Sequence, residues 1–114
     1  MLIKNDKVYY AHIGDSRIYY FNDSGTSRLT KDHSFVQTLV DGGHITAEEA
    51  EMHPRKNEIY KALGIHTTVE PTICDLAIIP ADGEYILLCT DGLTGMVGDN
   101  IIQKIVQKIS NFHK

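Results

Sequence analysis

The sequence predicts an α+β fold. Three observations carry this. β-Branched and aromatic runs fill the first third, and helix-spaced apolar residues with capping signals fill the middle. The last third returns to strands before closing on an amphipathic helix. The 114 residues suffice for one small domain, and 42% hydrophobic with 23% charged residues is an ordinary globular balance.

Leu2 to Lys4 is expected to add a short strand, turned at Asn5-Asp6. Val8 to Ile13 and Arg17 to Phe21 read as two strands flanking Gly14-Asp15-Ser16, and Asn22-Asp23-Ser24-Gly25 is a second turn signal. Phe35, Val36, Leu39 and Val40 recur at helical spacing, and Gly42-Gly43 stops them. Thr46-Ala47-Glu48-Glu49 has the form of a capping box, and His53-Pro54 ends the piece it opens. Ile59, Tyr60 and Leu63 predict a further helical turn or two before Gly64. Ile73 to Ile79 and Tyr85 to Cys89 read as strands, with Pro80-Ala81-Asp82-Gly83 expected as their hairpin connection. Ile101, Ile102, Ile105, Val106, Ile109 and Phe112 make one apolar stripe on the final helix, which Asp99 or Asn100 would cap.

A net charge of −4 with no basic run gives no general attraction for nucleic acid or anionic membranes. Met1 to Asp6 turns polar at once, so no leader is expected, and no apolar run is long enough to span a bilayer. Cys74 and Cys89 lack the spacing of a zinc or redox pair and read as buried, reduced thiols of a cytoplasmic protein. The tyrosines at 9, 10, 19 and 20 suggest a stacking platform for single strands, but without a basic groove they read as sheet-face residues.

Two segments share a design. "YYAHIGDSRIYYF" leads into Gly14-Asp15, and "YILLCTDGL" leads into Asp91-Gly92. Each sets a carboxylate beside a glycine at a strand end. Such dipeptides are common turn formers. Carboxylate oxygens are also the preferred ligands of hard cations such as Mg2+ and Mn2+. Asp15 and Asp91 are remote in sequence, so only the fold can bring them together.

"AHIGDSRIYYF", "LTKDHSFVQTLVDGGHIT", "HPRKNEIYKALG" and "YILLCTDGLTGMV" occur in that order, from about Val8 to Ile109. Together they resemble the bacterial branch of the metal-dependent serine/threonine protein phosphatases, the PPM or type 2C family. The resemblance implies part of a four-layer αββα sandwich, with two antiparallel sheets covered by helices and a helical flap. It implies a binuclear Mn2+ or Mg2+ centre, with a third and more weakly bound ion in bacterial members. The ions would activate a water to attack phosphorus on phosphoserine or phosphothreonine, without a covalent enzyme intermediate.

Carried over position by position, Asp91 matches the aspartate that ligates the binuclear pair, and Asp15 matches the aspartate that helps hold the third ion. Gly14, Ser16, Arg17 and Gly92 match architectural positions, with Arg17 expected to pair with a nearby carboxylate. Phe35 to about Gly64 matches the flap, where Arg55 and Lys56 lie near the path of a phosphopeptide, although solvated surface charge accounts for both. Phosphoproteins are the implied partners, together with a cognate kinase acting on the same sites.

The family pattern also includes upstream acidic motifs, a phosphate-binding arginine and a final strand, and none of these occurs between Met1 and Lys114. Asp41-Gly42-Gly43-His44 resembles one of the acidic motifs, but helix termination explains its glycines. Asp99-Asn100 resembles the last acidic pair but opens a helix, so capping is expected. The 114 residues are therefore expected to be an incomplete phosphatase domain with little or no activity alone. Uncovered sheet edges point to self-association or to a partner carrying the missing half. The rival reading is a non-catalytic, phosphatase-like interaction module.

None of the six histidines has metal-motif spacing. His12 is either a plain strand residue or a hydrogen-bond partner of Asp15. Asp32-His33-Ser34 reads as a helix-opening cap, because adjacent residues on one backbone cannot converge as a triad.

Overall fold

The computed structural model describes residues 1–112, the last three by backbone alone; His113, Lys114 and the Phe112 side chain lie outside the described residues. The chain opens with a hairpin, β1 (Leu2–Lys4) and β2 (Lys7–Tyr9), whose two-residue turn sets Asn5 and Asp6 at φ 52° and 62°. Asn and Asp tolerate this left-handed geometry better than other non-glycine residues, which suits a tight hairpin.

The predicted strand from Val8 to Ile13 is divided. After β2 the ladder is irregular at Tyr10, whose carbonyl accepts from the Cys74 N–H at 2.9 Å while its own N–H donates to the Cys74 sulfur at 3.3 Å, and the chain resumes as β3 (Ala11–His12). The opposing segment breaks at the same level. Only β6 (Thr72–Ile73) is regular, pairing antiparallel with β3, and contact returns at the Val8–Ile78 bridge. The continuous strand expected over Ile73–Ile79 is thus two short contacts around a bend.

The second sheet has the order β5-β4-β7, formed by β4 (Arg17–Asn22), β5 (Gly25–Arg28) and β7 (Tyr85–Cys89), all antiparallel. β5 was not predicted; it is polar and exists because the Asp23-Ser24 turn returns it along β4. The Pro80–Gly83 segment does turn, with the Glu84 N–H donating to the Ala81 carbonyl at 3.2 Å. It is not a hairpin connection, because β6 pairs with β3 and β7 pairs with β4. The segment carries the chain from one sheet to the other.

α1 (Phe35–Asp41) starts at Ser34, whose hydroxyl accepts from the Gln37 N–H, and ends at Gly42. Asp41 itself bonds Gln37 and pairs with Lys31, so Asp41-Gly42-Gly43 is helix termination. α2 (Ala47–Glu51) carries the capping box of Thr46 and Glu49 in both directions. The helical turns expected around Ile59–Leu63 do not form. The Phe35 N–H donates to the Glu58 carbonyl and the Tyr60 N–H to the His33 carbonyl, so this backbone bridges to the segment before α1.

α3 (Asp91–Thr94) follows β7 directly, and α4 (Asp99–Phe112) closes the described chain. Tyr19 and Phe21, two apart on β4, meet Ile102 of α4 in the buried core, with Leu87, Cys89, Val97 and Val106 packed around them. Only part of the predicted apolar stripe is used. Ile101, Ile105 and Ile109 stay about half exposed, at 49%, 52% and 47%. Cys74 and Cys89 are free thiols, partly rather than fully buried. No helix among the described residues is long and apolar enough to cross a membrane.

Candidate functional site

β4 and β7 are neighbours in register, with Arg17 opposite Cys89. The turn before β4 and the turn after β7 therefore lie at the same end of one sheet. That register places Asp15 and Asp91 on the wall of a single open cleft of about 620 Å³. α1, α2 and the Lys56-Asn57 segment supply the facing wall. A smaller hollow of about 280 Å³ lies by the Asp23 end of β4 and holds no carboxylate pair.

Each aspartate is held by local backbone chemistry. Thr90 caps α3 by accepting from the Gly92 N–H at 3.2 Å, which leaves Asp91 as the first helical residue and exposed. Gly95 closes the same turn: a Cβ there would sit 2.7 Å from the Asp91 carbonyl oxygen. Gly14 is buried at φ +94°, a conformation that other residues rarely adopt. Burial raises the Asp15 pKa above the ordinary carboxylate range, and the nearby negative charge of Asp91 raises it further.

Arg17 is spoken for. Its Nε donates to Asp32 Oδ1 at 3.1 Å and its NH2 to Oδ2 at 2.8 Å, a bidentate pair, while its NH1 donates to Tyr19 Oη at 3.2 Å. Burial alone would lower its pKa; the bonds to Asp32 and Tyr19 outweigh that and raise it. The guanidinium is permanently charged and structural. Asp32 is the nearby carboxylate expected for Arg17; the sequence reading placed it only in a helix opening, which masked its pairing with a residue on β4.

Asp99 corrects another expectation. It is the first residue of α4, not its cap, and its Oδ1 accepts from the Tyr19 hydroxyl at 2.7 Å and lies 4.0 Å from Arg17 NH1. Burial and the bond to Asp99 push the Tyr19 pKa up to about 12. The His12 ring nitrogens bond neither Asp15 nor any other described residue; the ring stacks on His33 with centroids 4.5 Å apart. Arg55 pairs with Glu58 and lies 3.7 Å over the Phe35 ring, whereas Lys56 is exposed on the cleft wall.

The donor chemistry of Asp15 and Asp91 fits a hard divalent cation, because two carboxylates that repel one another are stabilised by positive charge between them. The donor number falls short: no group of three or more His, Cys, Asp or Glu among the described residues could hold a metal ion. Water or further protein oxygens would have to complete the coordination shell of a cation held there.

The scaffold is similar to those of solved phosphatases. The Mycobacterium tuberculosis serine/threonine phosphatase PstP/Ppp superposes with a TM-score of 0.81 at 44% identity, over 90% of this chain and 43% of that one. A crystal structure of the catalytic domain of serine/threonine protein phosphatase PstP in complex with two manganese ions gives 0.76 at 39% identity, over 93% and 42%. Protein phosphatase PhpP of Streptococcus pneumoniae is 41% identical over 106 residues, 93% of this chain and 42% of that protein. No family profile matches the chain. The fold is that of the serine/threonine phosphatases. The chain belongs to the bacterial branch of the metal-dependent PPM (type 2C) family, and it spans about two fifths of the pneumococcal relative's length.

Proposed function

We propose that this chain supplies Asp15 and Asp91 to a divalent-cation centre of a protein phosphatase acting on phosphoserine and phosphothreonine. The observation that carries the reading is the convergence of these two remote residues on one cleft. Kinship with phosphatases, one of them crystallised with two manganese ions, supports it. Asp91 would ligate the binuclear pair and also share with Asp15 a third, weaker ion, each Mn2+ or Mg2+. When bound, the cations supply an acidified water as nucleophile and offset charge on the phosphoryl group.

The chain's own residues hold that arrangement. Arg17, locked on Asp32, anchors the start of β4; Thr90 and Gly95 fix the turn bearing Asp91. The segment from about Phe35 to Gly64 acts as the flap over the cleft, with Lys56 available to a phosphopeptide. Phosphoproteins, and a kinase acting on the same sites, are the partners. Two carboxylates are too few for tight binding of two ions, so the 114 residues alone carry little or no activity. The exposed ridge of α4 favours self-association or pairing with a chain that carries the remaining motifs.

The test is a phosphopeptide assay with Mn2+ on the 114-residue chain, alone and joined to the unmatched portion of the pneumococcal relative. Hydrolysis by the joined protein that is lost with Asp91→Ala is expected. Steady turnover by the chain alone would contradict the two-carboxylate reasoning. A joined protein that folds but never turns over would favour the non-catalytic alternative.

A further inference from the structure

The turn carrying Asp15 is clamped at both ends by two consecutive residues of a remote segment. Asp32 grips Arg17, after the turn, with two hydrogen bonds. His33 grips Gly14, before the turn, also with two: the Gly14 N–H donates to His33 Nδ1 at 3.0 Å, and the His33 N–H donates to the Gly14 carbonyl at 2.8 Å. Only Asp15 and Ser16 lie between the gripped positions.

We propose that His33 is a positioning residue, which as a neutral imidazole protonated on Nε2 fixes the Gly14 peptide and so aims the Asp15 carboxylate into the cleft. This rests on the reading of Asp15 as a cation ligand. The tautomer follows from the bonding. Nδ1 accepts from Gly14, so the ring proton sits on Nε2 and donates to Thr72 Oγ1, 2.8 Å away. Thr72 lies on β6, so one buried ring ties the Asp15 turn to the neighbouring sheet. His12 stacks flat on one ring face with an interplanar angle of 15°, and Tyr60 packs tilted at 5.8 Å. Burial, then His12 and Lys61, hold the His33 pKa below its ordinary value against the pull of Asp32, which favours the neutral form.

Gly14 at φ +94° holds a conformation that other residues rarely adopt, glycine has the widest backbone freedom to lose it, and His33 engages both its N–H and its carbonyl. Outer-shell partners of metal ligands commonly alter affinity by roughly 10–100-fold, and a partner that sets the backbone of the residue before a ligand acts in the same way.

The experiment compares the parent chain with His33→Asn and His33→Phe. Asparagine keeps an acceptor near the Nδ1 position; phenylalanine keeps the stacked ring without it. On the metal-free parent, 15N spectroscopy of His33 is expected to report the Nε2–H tautomer at pH 7.5. The Nδ1–H tautomer or an imidazolium there overturns the proposal. Gly14 amide exchange is expected to rise roughly tenfold in His33→Phe and to stay near the parent rate in His33→Asn. Equal rates in all three overturn it. If His33→Phe does not fold, the parent tautomer and His33→Asn decide the matter.

Mn2+ titration by calorimetry is expected to weaken by about tenfold or more in His33→Phe and by less than about threefold in His33→Asn. Unchanged affinity in folded His33→Phe overturns the proposal. A parent chain that binds no Mn2+ sinks the cation reading instead, and the metal-free measurements still judge the clamp.

Discussion

Replacing Asp32 by asparagine removes one negative charge at nearly constant volume, beneath the turn that bears Asp15. The carboxylate makes both bonds of the bidentate pair with Arg17, and the two side chains are only 10% and 16% exposed. Breaking a fully buried ion pair by removing one partner costs roughly 3–5 kcal/mol, because a charge is left buried without compensation. Three features reduce that here. Arg17 keeps some solvent access, it retains the Tyr19 hydroxyl at 3.2 Å with Asp99 at 4.0 Å, and asparagine still offers one acceptor. A loss of about 2–3 kcal/mol remains. For a chain of this size each kcal/mol moves the midpoint by about 4 °C, so Asp32→Asn should melt roughly 10 °C lower. Urea unfolding followed by circular dichroism measures this, with Arg17→Met/Asp32→Leu as the control that recovers part of the loss. A folded Asp32→Asn chain within about 0.5 kcal/mol of the parent refutes the claim that this pair anchors the site.

Three further outcomes follow from the same structure. The Tyr19 pKa is raised to about 12 in the fold, so its contribution is complete below the free value of about 10 and fades as pH rises from there through 12. Unfolding free energy should therefore drop over that range by on the order of 2 kcal/mol more in the parent than in Tyr19→Phe, as urea titrations at stepped pH would reveal. Gly14→Ala forces a side chain into φ +94° with a Cβ 3.4 Å from the Lys61 carbonyl, and should cost about 1–2 kcal/mol by the same assay; a neutral result contradicts the strain argument. Ile101→Ser/Ile105→Ser strips the exposed ridge of α4 while sparing Ile102, so light scattering should record less self-association at nearly unchanged stability, and a parent chain that stays monomeric at high concentration rejects that use of the ridge.

Local rules made much of the fold legible. Capping at Ser34 and Thr46, the Asn5-Asp6 turn and the periodicity of α4 are each decided within a few residues. Pairing between remote segments was not legible. Nothing in Ile73–Ile79 says that its pairing is regular only beside β3 and returns only at Val8, or that the Tyr10 N–H turns to a cysteine sulfur. The turns at Ile59–Leu63 failed for the same reason: the helical period is present, but the backbone finds partners at His33 and Phe35. The site divides along this line. Asp15 and Asp91 stood out through glycine neighbours at strand ends, and motif order gave them a role. Asp32 and His33 were visible only as part of a helix opening, because their partners lie on the far side of a hairpin.

The most direct measurement is a Mn2+ double-mutant cycle on Asp15 and Asp91. Calorimetric titration of the parent chain, Asp15→Asn, Asp91→Asn and the double variant should give weak binding by the parent alone. Either single substitution should abolish most of it, and the double should add little, because both oxygens serve one cleft-bound cluster. Losses that simply add, or Mn2+ affinity indifferent to either residue, would show that the two carboxylates line the same cleft without sharing an ion.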